Sequence, residues 1–80
     1  MDVPGWQETA EGLIRKFEFD DFSQAFGFIS RVALVAETQQ HHPDWSNSYG
    51  SVRIRLCTHD AGNKVTVKDY ELAMAINALL

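Results

Sequence analysis

Ser51-Val52-Arg53-Ile54-Arg55-Leu56-Cys57-Thr58-His59 places Val52, Ile54, Leu56 and Thr58 on one face and Arg53, Arg55, Cys57 and His59 on the other. That period of two predicts a half-buried antiparallel strand running from Ser51 to His59. Just before it, Asp44 to Gly50 reads as an extended piece closed by a turn, and Pro43 stops any helix arriving from upstream. Further upstream the period changes. From Phe22 to about Gln39, the residues Phe22, Ala25, Phe26, Ile29, Ala33 and Ala36 recur at helical spacing, and Asp20-Asp21 stands where a cap is needed. This stripe is expected to face the sheet, while Phe28, Val32 and Val35 widen the apolar face, which fits either a deeply seated helix or the packing of Phe28 and Val35 against another subunit. Two strands open the chain, a short one at Trp6 to Thr9 and an alternating one from Leu13 to Phe19. After the loop Asp60 to Lys64, Thr66-x-x-Asp69 resembles a capping box, and the last helix turns Leu72, Ala73, Ile76 and Leu79 inward. The order is β-β-α-β-β-α, which predicts an α+β fold with helices on one face of a four-stranded antiparallel sheet.

Eighty residues make one domain spanning 1–80. A chain this short buries only about 60–65% of the surface its unfolded form exposes, so association with further copies is favoured. Seven Lys plus Arg stand against eleven Asp plus Glu, with no basic run, which argues against direct nucleic-acid binding. A single Cys57 closes no internal disulfide, no Cys/His spacing of a structural zinc site occurs, and no apolar run reaches the roughly 18 residues that span a bilayer. The N-terminus, Met1-Asp2-Val3-Pro4-Gly5, lacks a basic segment followed by an apolar one, so a cytoplasmic protein without membrane contact is expected.

All three histidines, His41, His42 and His59, fall at element ends or loop borders, outside the apolar stripes. Pro43 forces His42 away from helical backbone, so the two adjacent imidazoles diverge. Glu37 lies four residues before His41; a helix continuing that far puts its carboxylate on the same face, where it orients the ring. Asp69 caps the last helix and can also touch a ligand. Cys57 and His59, two apart on a strand, should stand about 7 Å from each other, too far for a hydrogen-bonded pair. Metal-assisted hydrolysis lacks a ligand motif such as His-Glu-x-x-His. General acid–base chemistry fits this inventory best, because imidazole as a residue type is both donor and acceptor near neutrality.

Glu37-x3-His41-His42-Pro43, then Trp45, Tyr49, Thr58-His59 and Asp69, resembles the pterin-4a-carbinolamine dehydratases, known in animals also as the dimerisation cofactor of a homeodomain transcription factor. The segment Ala25 to Leu34 is similar to that family's long helix, and the likeness runs from Gly5 to about Asn77. The resemblance implies dehydration of 4a-hydroxytetrahydropterin to quinonoid dihydropterin, the recycling step of tetrahydrobiopterin after aromatic amino acid hydroxylation, with no cofactor and no metal. It implies His41, His42 and His59 as catalytic residues, and Pro43, Thr58, Asp60 and Ala61 beside them around the pterin. Glu37, Trp45 and Asp69 are supporting residues. Either His41 or His59 is the acid, with His41 favoured. It further implies dimers that join their sheets and tetramers that pack long helices together. The competing reading is a scaffold that binds a protein partner, a transcription factor or a RuBisCO-assembly client; a small metal-binding module is a third. Two departures stand out: an N-terminal helical segment of the common form is not seen ahead of Trp6, and the loop between His59 and Asp69 is one residue longer, through Asn63-Lys64.

Overall fold

The computed structural model describes residues 3–80; Met1 and Asp2, where the leaderless reading of the N-terminus begins, lie outside the described residues. Strands β1 (Gln7–Thr9), β2 (Gly12–Glu18), β3 (Asp44–Ser48) and β4 (Ser51–Leu56) form one antiparallel sheet in the order β1-β2-β4-β3. Helix α1 (Phe22–Gln39) lies between β2 and β3 in the chain, and α2 (Val67–Asn77) ends it. The expected order and class hold.

The register builds the core face. Leu13 pairs with Leu56 and Phe17 with Val52, so these side chains and Ile54 share one side of the sheet. All five are buried, as are Ala25, Phe28, Ile29, Val32 and Ala36 of α1 and Leu72, Ala73 and Ile76 of α2, which cover them. Lys16, Glu18, Ser46, Ser48 and Arg53 are exposed on the opposite side. Gly12 opens β2 at φ +136°, and a Cβ there would stand 2.4 Å from the Leu56 carbonyl oxygen, so only glycine lets the two strands close at this point.

Both helix starts follow the sequence. The Asp21 carboxylate accepts from the Gln24 N–H at 2.8 Å, and Thr66 and Asp69 form the capping box ahead of α2. The buried face of α1, however, is turned by about half of the 100° step between residues relative to the expected stripe. Phe22 and Phe26 are more than half exposed, whereas Phe28 and Val32 are fully buried. The cause is aromatic packing: the Phe28 ring lies 4.8 Å from Phe17 and 5.0 Å from Phe19, a seat over the sheet that neither Phe22 nor Phe26 reaches. Phe28 and Val35 therefore pack within this chain, as in a deeply seated helix and not against another subunit. Phe28→Ala is expected to cost about 3–5 kcal/mol, read from the shift of the urea midpoint at unchanged slope.

Candidate active site

Strand β4 stops at Leu56, three residues earlier than the alternation suggests. Thr58 makes a single bridge to Lys64, and His59–Ala61 form one 3-10 turn. The Thr58 N–H donates to the Lys64 carbonyl at 2.8 Å and the Asn63 N–H to the Thr58 carbonyl at 3.0 Å, which ties the longer loop back onto the strand end. Asn63 takes positive φ (63°) and its Oδ1 lies 2.8 Å from His59 Nδ1. An amide oxygen only accepts, so His59 carries its proton on Nδ1 and leaves Nε2 free. Nothing in the residue pattern singled out Asn63; its only signal was the extra loop length.

The first imidazole pair is positioned by the way α1 ends. Gln40 adopts the left-handed conformation (φ 53°, ψ 39°), its N–H donates to the Glu37 carbonyl at 3.2 Å, and the His41 N–H donates to the Ala36 carbonyl at 3.2 Å. This C-cap takes His41 off the helical path before the i, i+4 relation with Glu37 can form. Glu37 Oε1 instead meets His42 Nε2 at 2.8 Å, in a pair whose side chains are both more than half exposed. His41 swings toward α2, where its Nε2 lies 2.5 Å from Asp69 Oδ1. The carboxylate expected to orient His41 thus orients His42, and the capping residue takes its place.

Asp69 is fully buried, and His41 is only 11% exposed at its side chain. Asp69 Oδ2 accepts from the Thr58 hydroxyl and from the Thr66 N–H, each at 2.8 Å. Thr58 Oγ1 stands 2.6 Å from Thr66 Oγ1; because Thr58 gives its proton to the carboxylate, Thr66 donates to Thr58. Every hydroxyl direction is then fixed, and His41 presents Nε2–H to Asp69 and keeps Nδ1 for exchange with a ligand. None of the buried side-chain N or O atoms among the described residues lacks a partner.

These groups border a cleft of about 310 Å³, at the small end of the range for small-molecule pockets. His41, His42, Pro43, Thr58, His59 and Asp60 line it, so the adjacent pair His41-His42 and the distant His59 meet at one cavity. Gln40, Asp44 and Lys68 also line it and were not anticipated. Glu37 and Asp69 are not in the lining and touch it through His42 and His41. Ala61, expected beside the pterin, and Trp45, expected as a supporting residue, are not in the lining. Ala61 is exposed at the far end of the 3-10 turn, and Trp45 pairs with Ile54 on the edge strand, where it is 40% exposed. Tyr49 sits at the opposite end of β3, in the β3–β4 turn at positive φ.

Comparison with known proteins identifies the family. The family description "Pterin 4 alpha carbinolamine dehydratase" matches residues 1–79. A relative from Rhodospirillum rubrum that carries the pterin-4-alpha-carbinolamine dehydratase name is 53% identical over 81 residues, covering 99% of this chain and 83% of its own. One of the same name from Rhodopseudomonas palustris is 51% identical over 80 residues, covering 98% and 78%. The crystal structure of a transcriptional coactivator/pterin dehydratase from Brucella melitensis superposes with a TM-score of 0.87 at 45% identity, over 95% of this chain and 82% of that one. On both sequence and fold, the chain belongs to the pterin 4 alpha carbinolamine dehydratase family.

Proposed function

We propose that this chain, a hydro-lyase by its family, converts 4a-hydroxytetrahydropterin to quinonoid dihydropterin and water through general acid–base catalysis by its histidines. The observation that carries the reading is the meeting of His41, His42 and His59 at one cleft, with two of the rings held by carboxylates and the third by an amide oxygen. Dehydration needs a proton on the departing hydroxyl and removal of one from the adjacent ring nitrogen as the C–O bond breaks and the C=N bond forms. His41 fits the donor role, because Asp69 compensates the charge of its imidazolium. His59, whose Nδ1–H is tied to the neutral Asn63 amide, offers Nε2 as the acceptor on the other side. His42, backed by Glu37, holds the ring edge between them. Pro43, Thr58 and Asp60 complete the walls.

The decisive experiment follows the ultraviolet decay of freshly generated carbinolamine with and without the protein. Acceleration over buffer supports the reading; identical traces overturn it. We place the reaction in the cytoplasm, in tetrahydropterin recycling by a single-domain protein; no helix among the described residues is long and apolar enough to cross a membrane.

The outer face of α1 supports self-association. Phe22 and Phe26 stack with ring centroids 5.8 Å apart and remain more than half exposed, with Leu34 71% exposed on the same helix. We assign this face to a second copy of the chain, the helix packing that the resemblance implies. Phe26→Asp is expected to lower the molar mass measured by light scattering while leaving the fold intact. The name of the Brucella melitensis structure favours a second reading, in which the same face takes a protein partner. A pulldown that captures a partner with Phe26 intact but not with Phe26→Asp, from a protein without effect on carbinolamine decay, would establish it.

A further inference from the structure

The end of β4 brings together a second set of groups. Asp44 pairs with Arg55 across the β3–β4 register, Cys57 follows two residues later, and the chain then curls into the 3-10 turn that starts at His59. The curl defeats the roughly 7 Å separation that a continued strand would give Cys57 and His59. One ligand atom from each of Asp44, Cys57 and His59 now lies within 4.8 Å of the other two. Chain spacing hides this cluster, because Asp44 reaches it only through strand pairing.

We propose that Asp44, Cys57 and His59 bind a zinc-type divalent cation, and that its occupation withdraws His59 from the pterin cleft. Carboxylate, thiolate and imidazole are all ligands of such a metal. In a tetrahedral site, bond lengths of about 2.0–2.3 Å put ligand atoms roughly 3.3–3.7 Å apart, so the cluster must contract by about 1 Å. Two of its three side chains, those of Asp44 and His59, are exposed, which leaves room for that adjustment. Two contacts already resemble an outer shell. Asn63 Oδ1 holds His59 Nδ1 and leaves Nε2 to ligate, and Arg55 holds Asp44 Oδ2 at 2.5 Å and leaves Oδ1. The Arg55 guanidinium also opposes an incoming cation, which sets the affinity below that of thiolate-rich structural sites. Solvent completes the coordination, and binding releases the Cys57 proton to solution with no redox change. The binding half stands on geometry alone; the inhibitory half rests on the reading of His59 as a catalytic residue.

Cobalt is the probe. Titrating the protein with Co²⁺ is expected to give a 1:1 complex with a thiolate-to-cobalt charge-transfer band and the visible bands of four-coordinate cobalt, both removed by Zn²⁺. Cys57→Ser loses the charge-transfer band, and Asp44→Asn, a surface change, keeps the band at weaker affinity. Asn63→Ala weakens binding about 10–100-fold. In the carbinolamine assay, Zn²⁺ slows the wild type and spares Cys57→Ser, whose metal-free rate matches wild type. No charge-transfer band, or equal affinity in Cys57→Ser, overturns the site. Equal Zn²⁺ inhibition of Cys57→Ser overturns the link to catalysis. A protein inert with carbinolamine that still gives the cobalt spectrum overturns the dehydratase reading and leaves the site standing.

Discussion

His41→Ala and His59→Ala are each expected to slow carbinolamine dehydration by about 10²–10⁴-fold while both variants fold. The two should differ in their side effects. The His59 side chain is exposed and, among the described residues, hydrogen-bonded to Asn63 alone, so its loss should change stability by no more than about 0.5 kcal/mol. His41 is nearly buried, and removing it strips Asp69 Oδ1 of its donor, at a cost of about 1–3 kcal/mol. Proton donor and acceptor act on one transition state, so the double variant should lose less than the product of the single losses. Ultraviolet decay traces and thermal melts of the three variants give all the numbers needed. Full activity in the double variant would remove the acid–base assignment altogether.

What the sequence made legible was whatever depends on near neighbours. The alternation of Val52, Ile54 and Leu56 marks a strand because side chains on a pleated chain point to opposite sides, and those three are fully buried. Asp21 and the Thr66/Asp69 pair cap their helices because unpaired N–H groups lie within reach of their side chains. The proximity of His41 and His42 is covalent. What brings His59 to them is the sheet register and the return of the chain through α2, and the family resemblance supplied that step.

The misreadings have a common origin in contacts set by tertiary structure. Periodicity finds an apolar stripe on α1 but cannot say which residue fits the hollow above Phe17 and Phe19, so it places Phe26 inward and leaves Phe28 open between the core and a subunit contact. A one-residue change of backbone at Gln40 gave Glu37 to His42 and left His41 to Asp69. The early end of β4 puts His59 at the first residue of a turn instead of a strand terminus, and brings Asn63 into hydrogen-bond contact with it, which loop length alone only hints at. Asp44 and Lys68 reach the cleft from β3 and from the first turn of α2, and neither position carries a local mark of it.

Asp69→Asn is expected to cost nearly as much activity as His41→Ala, although it leaves the shape of the side chain almost unchanged. Both carboxylate oxygens of Asp69 accept, one from His41 and the other from Thr58 and the Thr66 N–H. An amide has a single accepting oxygen. If its NH₂ faces His41, Nε2 must accept, and the imidazole can no longer hold the second proton that makes it an acid toward the substrate. If its NH₂ faces Thr58 and Thr66, donors oppose donors at a fully buried position, which costs about 1–3 kcal/mol. Thr66→Ala separates capping from catalysis, because it removes the cap hydroxyl and keeps the carboxylate. It should lose about 1 kcal/mol of stability, a far larger relative effect than it has on rate. A carboxylate that served only as a cap would give the reverse result: Asp69→Asn would lower the melting temperature, and the folded protein would keep the wild-type kcat and its pH profile. Measuring kcat across pH on fully folded samples of both variants, well below their melting temperatures, decides between the two, since lost stability cannot reshape that profile whereas loss of the imidazolium at His41 must.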